Sequence, residues 1–104
     1  MERIEKLKAL LKETPGDSFV QHALALEYIK LNNDSEARRI FEGLLERDED
    51  YVGSYYHLAK LLERNHEKEA ALHWYERGMK KAKEKGDRHA FNELQSAYED
   101  LSDQ

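Results

Sequence analysis

The groups in this sequence that could do chemistry are 5 histidines, 22 carboxylates and 17 lysines and arginines. Metal binding is the first chemistry to test, because His22 and His57 would lie near each other if the elements carrying them were neighbours. Two imidazoles with no assigned carboxylate or thiolate make an incomplete set, since zinc takes four ligands in structural sites and three plus water in catalytic ones. Both histidines therefore read as amphipathic surface residues able to donate hydrogen bonds and to charge partly below about pH 6.5. His66, His73 and His89 fall at a turn, an outer helix face and a helix start. General acid–base work needs a pair of groups held in a dry cleft with displaced pKa values, whereas carboxylates such as Glu46, Asp48, Glu49 and Asp50 sit at spacings that suit solvent. The 5 glycines are scattered singly and form no phosphate loop. With no cysteine, a disulfide framework, a thiolate zinc site and a cysteine nucleophile are excluded together. The expectation is a protein that is not an enzyme, with no cofactor, no metal and no catalytic residue.

Charge narrows the partners. The formal net charge of −5 argues against a sequence-independent nucleic-acid binder, which needs a basic face to release counterions. Lys80, Lys81, Lys83 and Lys85 crowd one segment; they read as the end of a helix complementing its dipole, with a phosphate or RNA patch as the alternative. No stretch approaches the roughly 18 apolar residues of a membrane span and the N-terminus has no signal-peptide core, so a cytoplasmic home and no membrane partner are expected. The length of 104 residues suits one domain.

The elements that must position these groups follow from the punctuation. Pro15-Gly16, Asn32-Asn33-Asp34, Asp48-Glu49-Asp50, Asn65-His66 and Gly86-Asp87 are the interruptions. Between them apolar residues recur at three- and four-residue spacing, as in Ile4, Leu7, Leu10, Leu11 and in Phe91, Leu94, Tyr98, Leu101, which is helix period. Six helices are predicted, over about 2–13, 18–31, 34–47, 51–64, 67–85 and 88–101. Ser18 with Gln21, and Asn33 with Glu36, read as capping boxes.

Self-comparison finds a period of 34 residues: Leu24 pairs with Leu58, Ala25 with Ala59, Tyr28 with Leu62, Ala37 with Ala71, Phe41 with Tyr75 and Leu45 with Met79. The alanines are needed where two antiparallel helices joined by a short turn cross with their backbones close. Phe41 and Tyr75 bring a ring from the second helix into the gap. The unit is a repeating αα-hairpin.

At these residues the sequence resembles the tetratricopeptide repeat family, whose 34-residue unit favours Trp, Leu, Gly, Tyr, Ala, Phe, Ala and Pro at fixed places. In that order the first repeat has Gln21, Leu24, Ala25, Tyr28, Ala37, Phe41, Leu44 and Glu49. The second has Tyr55, Leu58, Ala59, Leu62, Ala71, Tyr75, Gly78 and Lys83. Leu7, Leu10 and Pro15 resemble the second half of a further repeat. Phe91, Leu94 and Tyr98 fit an opening half if two residues are inserted near Gly86. Gln21 in place of the aromatic, Leu44 in place of a small residue, and Gln95 where glycine or alanine belongs are departures; Gln95 reads as the polar outer face of a capping helix. The resemblance implies an all-α, right-handed superhelix of antiparallel αα-hairpins. The chain is then a single domain over 1–104, with an N-terminal half-repeat at 1–17, repeat one at 18–51, repeat two at 52–85 and a capping helix at 86–104. Its methionine start and polar Ser102-Asp103-Gln104 end read as a complete small protein.

The resemblance further implies that function lies on the inner, concave surface lined by the first helix of each repeat. The partner-binding residues expected there are Phe19, His22, Leu26 and Ile29 from repeat one and Tyr56, His57 and Lys60 from repeat two. Phe19, Leu26 and Ile29 form a stripe on a helix that already uses Leu24 and Tyr28 for its core, so this helix is apolar on two faces. Either the N-terminal half-repeat or the terminal helix curls over the stripe, or it receives an amphipathic helix or extended peptide. The expected function is a protein–protein interaction module binding a peptide or helix of a protein partner in its groove; the alternative is a structural homodimer formed through the stripe. The family's lysine, asparagine and arginine clamp for chaperone C-terminal carboxylates is absent, since His22, Leu26, His57, His89 and Glu93 stand in its places. Peptides with acidic C-terminal tails are therefore expected to bind weakly or not at all, and micromolar affinity in titration calorimetry at neutral pH would overturn this.

Overall fold

The computed structural model describes residues 2–104. Those residues form six α-helices and no strand: α1 (Glu2–Glu13), α2 (Ser18–Lys30), α3 (Asp34–Arg47), α4 (Gly53–Arg64), α5 (Lys68–Lys85) and α6 (Arg88–Ser102). The fold is all-α, as the periodicity requires. Two compact units divide the chain, Met1–Asp48 and Glu49–Gln104.

The helix ends show how local chemistry sets these bounds. At α2 the capping-box expectation is corrected: Asp17, not Ser18, is the cap, and its carboxylate accepts from the Val20 amide at 3.1 Å. An ionised carboxylate is a stronger acceptor than a hydroxyl, so Ser18 is released to donate from Oγ to Asp48 Oδ2 at 2.7 Å. At α3 half of the expected box forms. Asn33 Oδ1 accepts from the Glu36 amide at 3.3 Å, but the Glu36 carboxylate pairs with Arg39 instead of turning back. Asp87 caps α6 through the Ala90 amide at 3.0 Å. The repeat extends to the backbone of the turns. Asn32 and His66, one period apart, both take left-handed φ values of 60° and 64°. The amides that follow them donate to Tyr28 O and Leu62 O, each at 2.9 Å, and so satisfy carbonyls left open by α2 and α4. Gly86 closes α5 at φ 72°, a conformation open to a residue with no Cβ.

The lysine segment divides in two. Lys83 and Lys85 lie in the last turn of α5, where the helix dipole favours cations. Lys81 is instead held by Glu49 at 3.1 Å, Glu84 at 3.5 Å and Asp50 at 3.8 Å.

In the first unit α2 packs against α1 on one side and α3 on another. Ile4 and Leu7 of α1 are buried, Arg3 Nε meets Glu27 at 2.8 Å, and the Lys8 ammonium lies 5.9 Å from the centre of the Tyr28 ring. In the second unit α5 packs against both α4 and α6. The small residues of the period, Ala25, Ala59, Ala37 and Ala71, are all 0% exposed, as are the rings of Phe41 and Tyr75.

The two departures of repeat one from the family pattern have a common cause. Tyr55 is fully buried and its hydroxyl donates to Glu49 O at 2.6 Å. Gln21, one period earlier, is buried and its Nε2 donates to Pro15 O at 2.7 Å. Both side chains reach back six residues to tie the preceding turn to the helix, so Gln21 does what the tyrosine hydroxyl does with less bulk. The space that Tyr55 takes is made by Gly78 of α5, where an added Cβ would stand 2.7 Å from Tyr55 Cβ and 3.0 Å from Leu94 Cδ1. In repeat one the smaller Gln21 is matched by the larger Leu44 at the Gly78 place, and Leu44 is 0% exposed. Large with small in one repeat and small with large in the other fill similar space.

Gly78→Ala should therefore lose stability. Overpacking of about 1 to 3 kcal/mol outweighs the helix propensity of about 0.8 to 1 kcal/mol that alanine regains. Gly43→Ala in α3 should do the reverse and stabilise by about 0.5 to 1 kcal/mol, because its Cβ would meet only the far end of the Arg47 side chain, at an ordinary contact distance of 3.6 Å. Urea titrations of the two variants that shift in the same direction would contradict this reading of the crossing.

Candidate interaction faces of the first helices

The residues predicted to bind a partner fall on α2 in the first unit and on α4 in the second. On α2, Phe19 is 67% exposed while His22, Leu26 and Ile29 are half-buried. The His22 ring stands edge-on to Phe41 at 5.6 Å, with an interplanar angle of 65°. On α4, Tyr56, His57 and Lys60 are half-buried. Tyr56 lies one period after His22 and meets Tyr75, one period after Phe41, at 6.4 Å and 59°. The register partner of His22 is therefore Tyr56, and His57 occupies the place of Ala23. Among the described residues no group of three His, Asp or Glu side chains gathers as a metal site would require.

A second exchange between the repeats explains the contrast between the faces. The Tyr75 hydroxyl donates to Glu63 Oε1 at 2.9 Å. One period earlier the corresponding residues are Phe41 and Ile29, an apolar pair with no hydroxyl to satisfy. Burial first, and then the Glu63 carboxylate, hold the Tyr75 phenol far above its ordinary range. Lys60 lies 3.7 Å from Glu63 and 5.6 Å from the centre of the Tyr56 ring, where repeat one has Leu26. At these two positions the face of α4 is charged where that of α2 is apolar. The chemistry of position 63 was legible in the sequence only by pairing it with position 75.

His57 packs edge-on to Tyr56 at 5.8 Å. Burial lowers its pKa from 6.5, and the Glu93 carboxylate of α6 opposes that shift. Trp74 is half-buried, with the Arg77 guanidinium 4.8 Å from its ring centre and the Tyr55 ring at 6.0 Å.

The lowered pKa of His57 has a definite sign in stability. Below 6.5 the unfolded chain takes a proton that the folded chain resists, so this contribution is present above that value and is lost as pH falls through the lowered folded pKa. His57→Gln should lose less stability than the wild type when pH falls from about 7.5 to about 5.5, measured by denaturant titration at each pH. Equal losses would show that His57 is not the group responsible.

No protein-family model matches the chain, and no curated protein sequence does. Solved structures do. The crystal structure of a tetratricopeptide repeat domain protein from Salinibacter ruber is 43% identical, covers 83% of this chain and 96% of its own, and superposes with a TM-score of 0.79. A solution structure of a tetratricopeptide repeat domain protein from the same organism is 44% identical over 84% of this chain and 88% of that one, with a TM-score of 0.80. The TPR2B domain of yeast Sti1, solved in a complex with pHsp70, shares the fold at a TM-score of 0.88 with 21% identity, over 96% of this chain and 80% of that one. With the 34-residue period, the paired hairpins and relatives of this identity and coverage, the chain belongs to the tetratricopeptide repeat family.

Proposed function

We propose that this protein is a protein–protein interaction module whose first-helix faces take up a peptide or helix of another protein. One observation carries the reading: Phe19, a phenylalanine 67% exposed on α2, continues into the half-buried Leu26 and Ile29. An aromatic ring left in water beside further apolar side chains is what a partner's apolar residues can cover with gain. Packing supplies a reason for Ile29, which matches Phe41 as Glu63 matches Tyr75, but supplies none for Phe19. The α4 face, with Tyr56, His57 and Lys60, offers a stacking ring, a hydrogen-bonding imidazole and a cation for polar groups of the partner.

The structural neighbour from yeast Sti1 was solved with pHsp70, which supports a protein or peptide partner for this fold. The missing carboxylate clamp argues for a different peptide chemistry here. Neither face offers a dry pair of titratable groups or a phosphate loop, so a binding role rather than catalysis is the reading adopted, without cofactor. The division into a half-repeat, two repeats and a cap within one cytoplasmic module belongs to the same proposal.

Selection of peptides from a displayed random library, followed by titration against wild type, Phe19→Glu and Tyr56→Ala, tests it. Selected peptides should lose at least about tenfold in affinity for Phe19→Glu, roughly 1.4 kcal/mol, while its melting temperature is unchanged. Peptides that bind Phe19→Glu as well as wild type, or a library that yields none, would overturn the assignment. The same exposed ring favours a second reading, self-association through the stripe, which a dimer present in wild type and lost in Phe19→Glu would establish.

A further inference from the structure

Helix α1 buries Ile4 and Leu7 and leaves Lys6, Ala9, Leu10 and Glu13 exposed. These four stand at i, i+3, i+4 and i+7, the spacing that places residues along one helical face. Leu10 is 49% exposed, one of three large apolar side chains so open among the described residues. It lines two shallow depressions. One of about 510 Å³ is lined by Glu2, Arg3, Lys6, Leu7 and Leu10, and one of about 350 Å³ by Lys6, Ala9, Leu10 and Glu13.

The order along the stripe is cation, small residue, large apolar residue, anion, and the midpoint between Lys6 and Glu13 is also the midpoint between Ala9 and Leu10. We infer that this face is an interface with a second copy of the chain, the two α1 helices lying antiparallel across a two-fold axis at that midpoint. Each Lys6 then meets the other copy's Glu13, and each Leu10 enters the space left over the other copy's Ala9. A two-fold contact must be self-complementary, because one patch meets itself reversed. This stripe meets that condition in charge and in size at once. A parallel pairing would instead set lysine against lysine and glutamate against glutamate. The intrahelical pair from Lys6 Nζ to Glu2 at 3.2 Å, with side chains 73% and 82% exposed, is too solvated to compete strongly.

One helix face is a small interface, below the roughly 1,200 Å² of stable complexes, so the dimer is weak, reversible and sensitive to salt. All residues lining these depressions belong to α1, whereas Phe19 belongs to α2.

Sedimentation equilibrium of the full chain, up to about 1 mM at low salt, should show a monomer–dimer equilibrium. Lys6→Glu and Glu13→Lys should each raise the dimer dissociation constant at least about tenfold, or 1.4 kcal/mol. The double exchange Lys6→Glu/Glu13→Lys should restore it, because the charges again alternate across the axis. Far-ultraviolet dichroism melts separate loss of pairing from loss of fold, and since both side chains are exposed the variants should melt like the wild type. The inference is overturned by a wild type that stays monomeric throughout, by a dimer indifferent to either reversal, or by a double exchange that fails to recover pairing while remaining folded. A dimer lost only in Phe19→Glu would place the contact on α2 and overturn it equally.

Discussion

Two antiparallel helices can close to backbone contact only where one of them has almost no side chain, and the second unit depends on such a place at Gly78. A single added carbon there would stand 2.7 Å from Tyr55 Cβ and 3.0 Å from Leu94 Cδ1, so α4 and α6 both reach α5 at one vacant position. Burial of Tyr55, and with it the 2.6 Å bond from its hydroxyl to the carbonyl of Glu49, follows from that approach. The turn before α4 is tied down by a side chain that fits only because Gly78 lacks one. Ala59 and Ala71, both 0% exposed, extend the same close contact along the hairpin.

The first unit reaches a similar hairpin with the volumes exchanged. Gln21 and Leu44 stand where the second repeat has Tyr55 and Gly78, and the amide of Gln21 reaches the carbonyl of Pro15 as the tyrosine reaches Glu49. The exchange has a cost, because Gln21 Oε1 is buried with no hydrogen-bond partner, a group that a phenol ring would not bring inside. Conserving the sum of side-chain volumes across a crossing, rather than the side chain at each place, is what close packing demands.

Core and surface are coupled by the same logic. A buried tyrosine hydroxyl needs an acceptor, so Tyr75 draws Glu63 to the surface end of α4, and Glu63 in turn gathers Lys60 beside Tyr56. Phe41 makes no such demand, and α2 can carry Ile29 and Leu26 in the equivalent places. Glu63 on one face and Ile29 on the other thus match the oxygen that distinguishes Tyr75 from Phe41. Phe19 stands outside this coupling, since its counterpart one period on is Gly53, and it is 67% exposed.

Much of this was determined by the sequence alone. Helix bounds were legible within about two residues, because apolar spacing and the breaks at Pro15-Gly16, Gly86-Asp87 and the Asn/Asp clusters are local properties of the chain. The period of 34 residues, and with it the αα-hairpin and the family, was legible because a crossing needs small residues and rings at fixed separations. Tertiary structure decided the rest. Whether Asp17 or Ser18 caps α2 depended on Asp48, which offers Ser18 another acceptor from 30 residues away. That Gln21 and Leu44 belong to one exchange, and Ile29 and Phe41 to another, became visible only when each was placed against its counterpart in the second repeat. Single-position comparison counts such residues as departures, whereas packing acts on pairs. The faces divide likewise: the sequence supplied the residues of α2 and α4, and the fold decided that Phe19 stays in water while His57 is drawn far enough inside to shift its pKa.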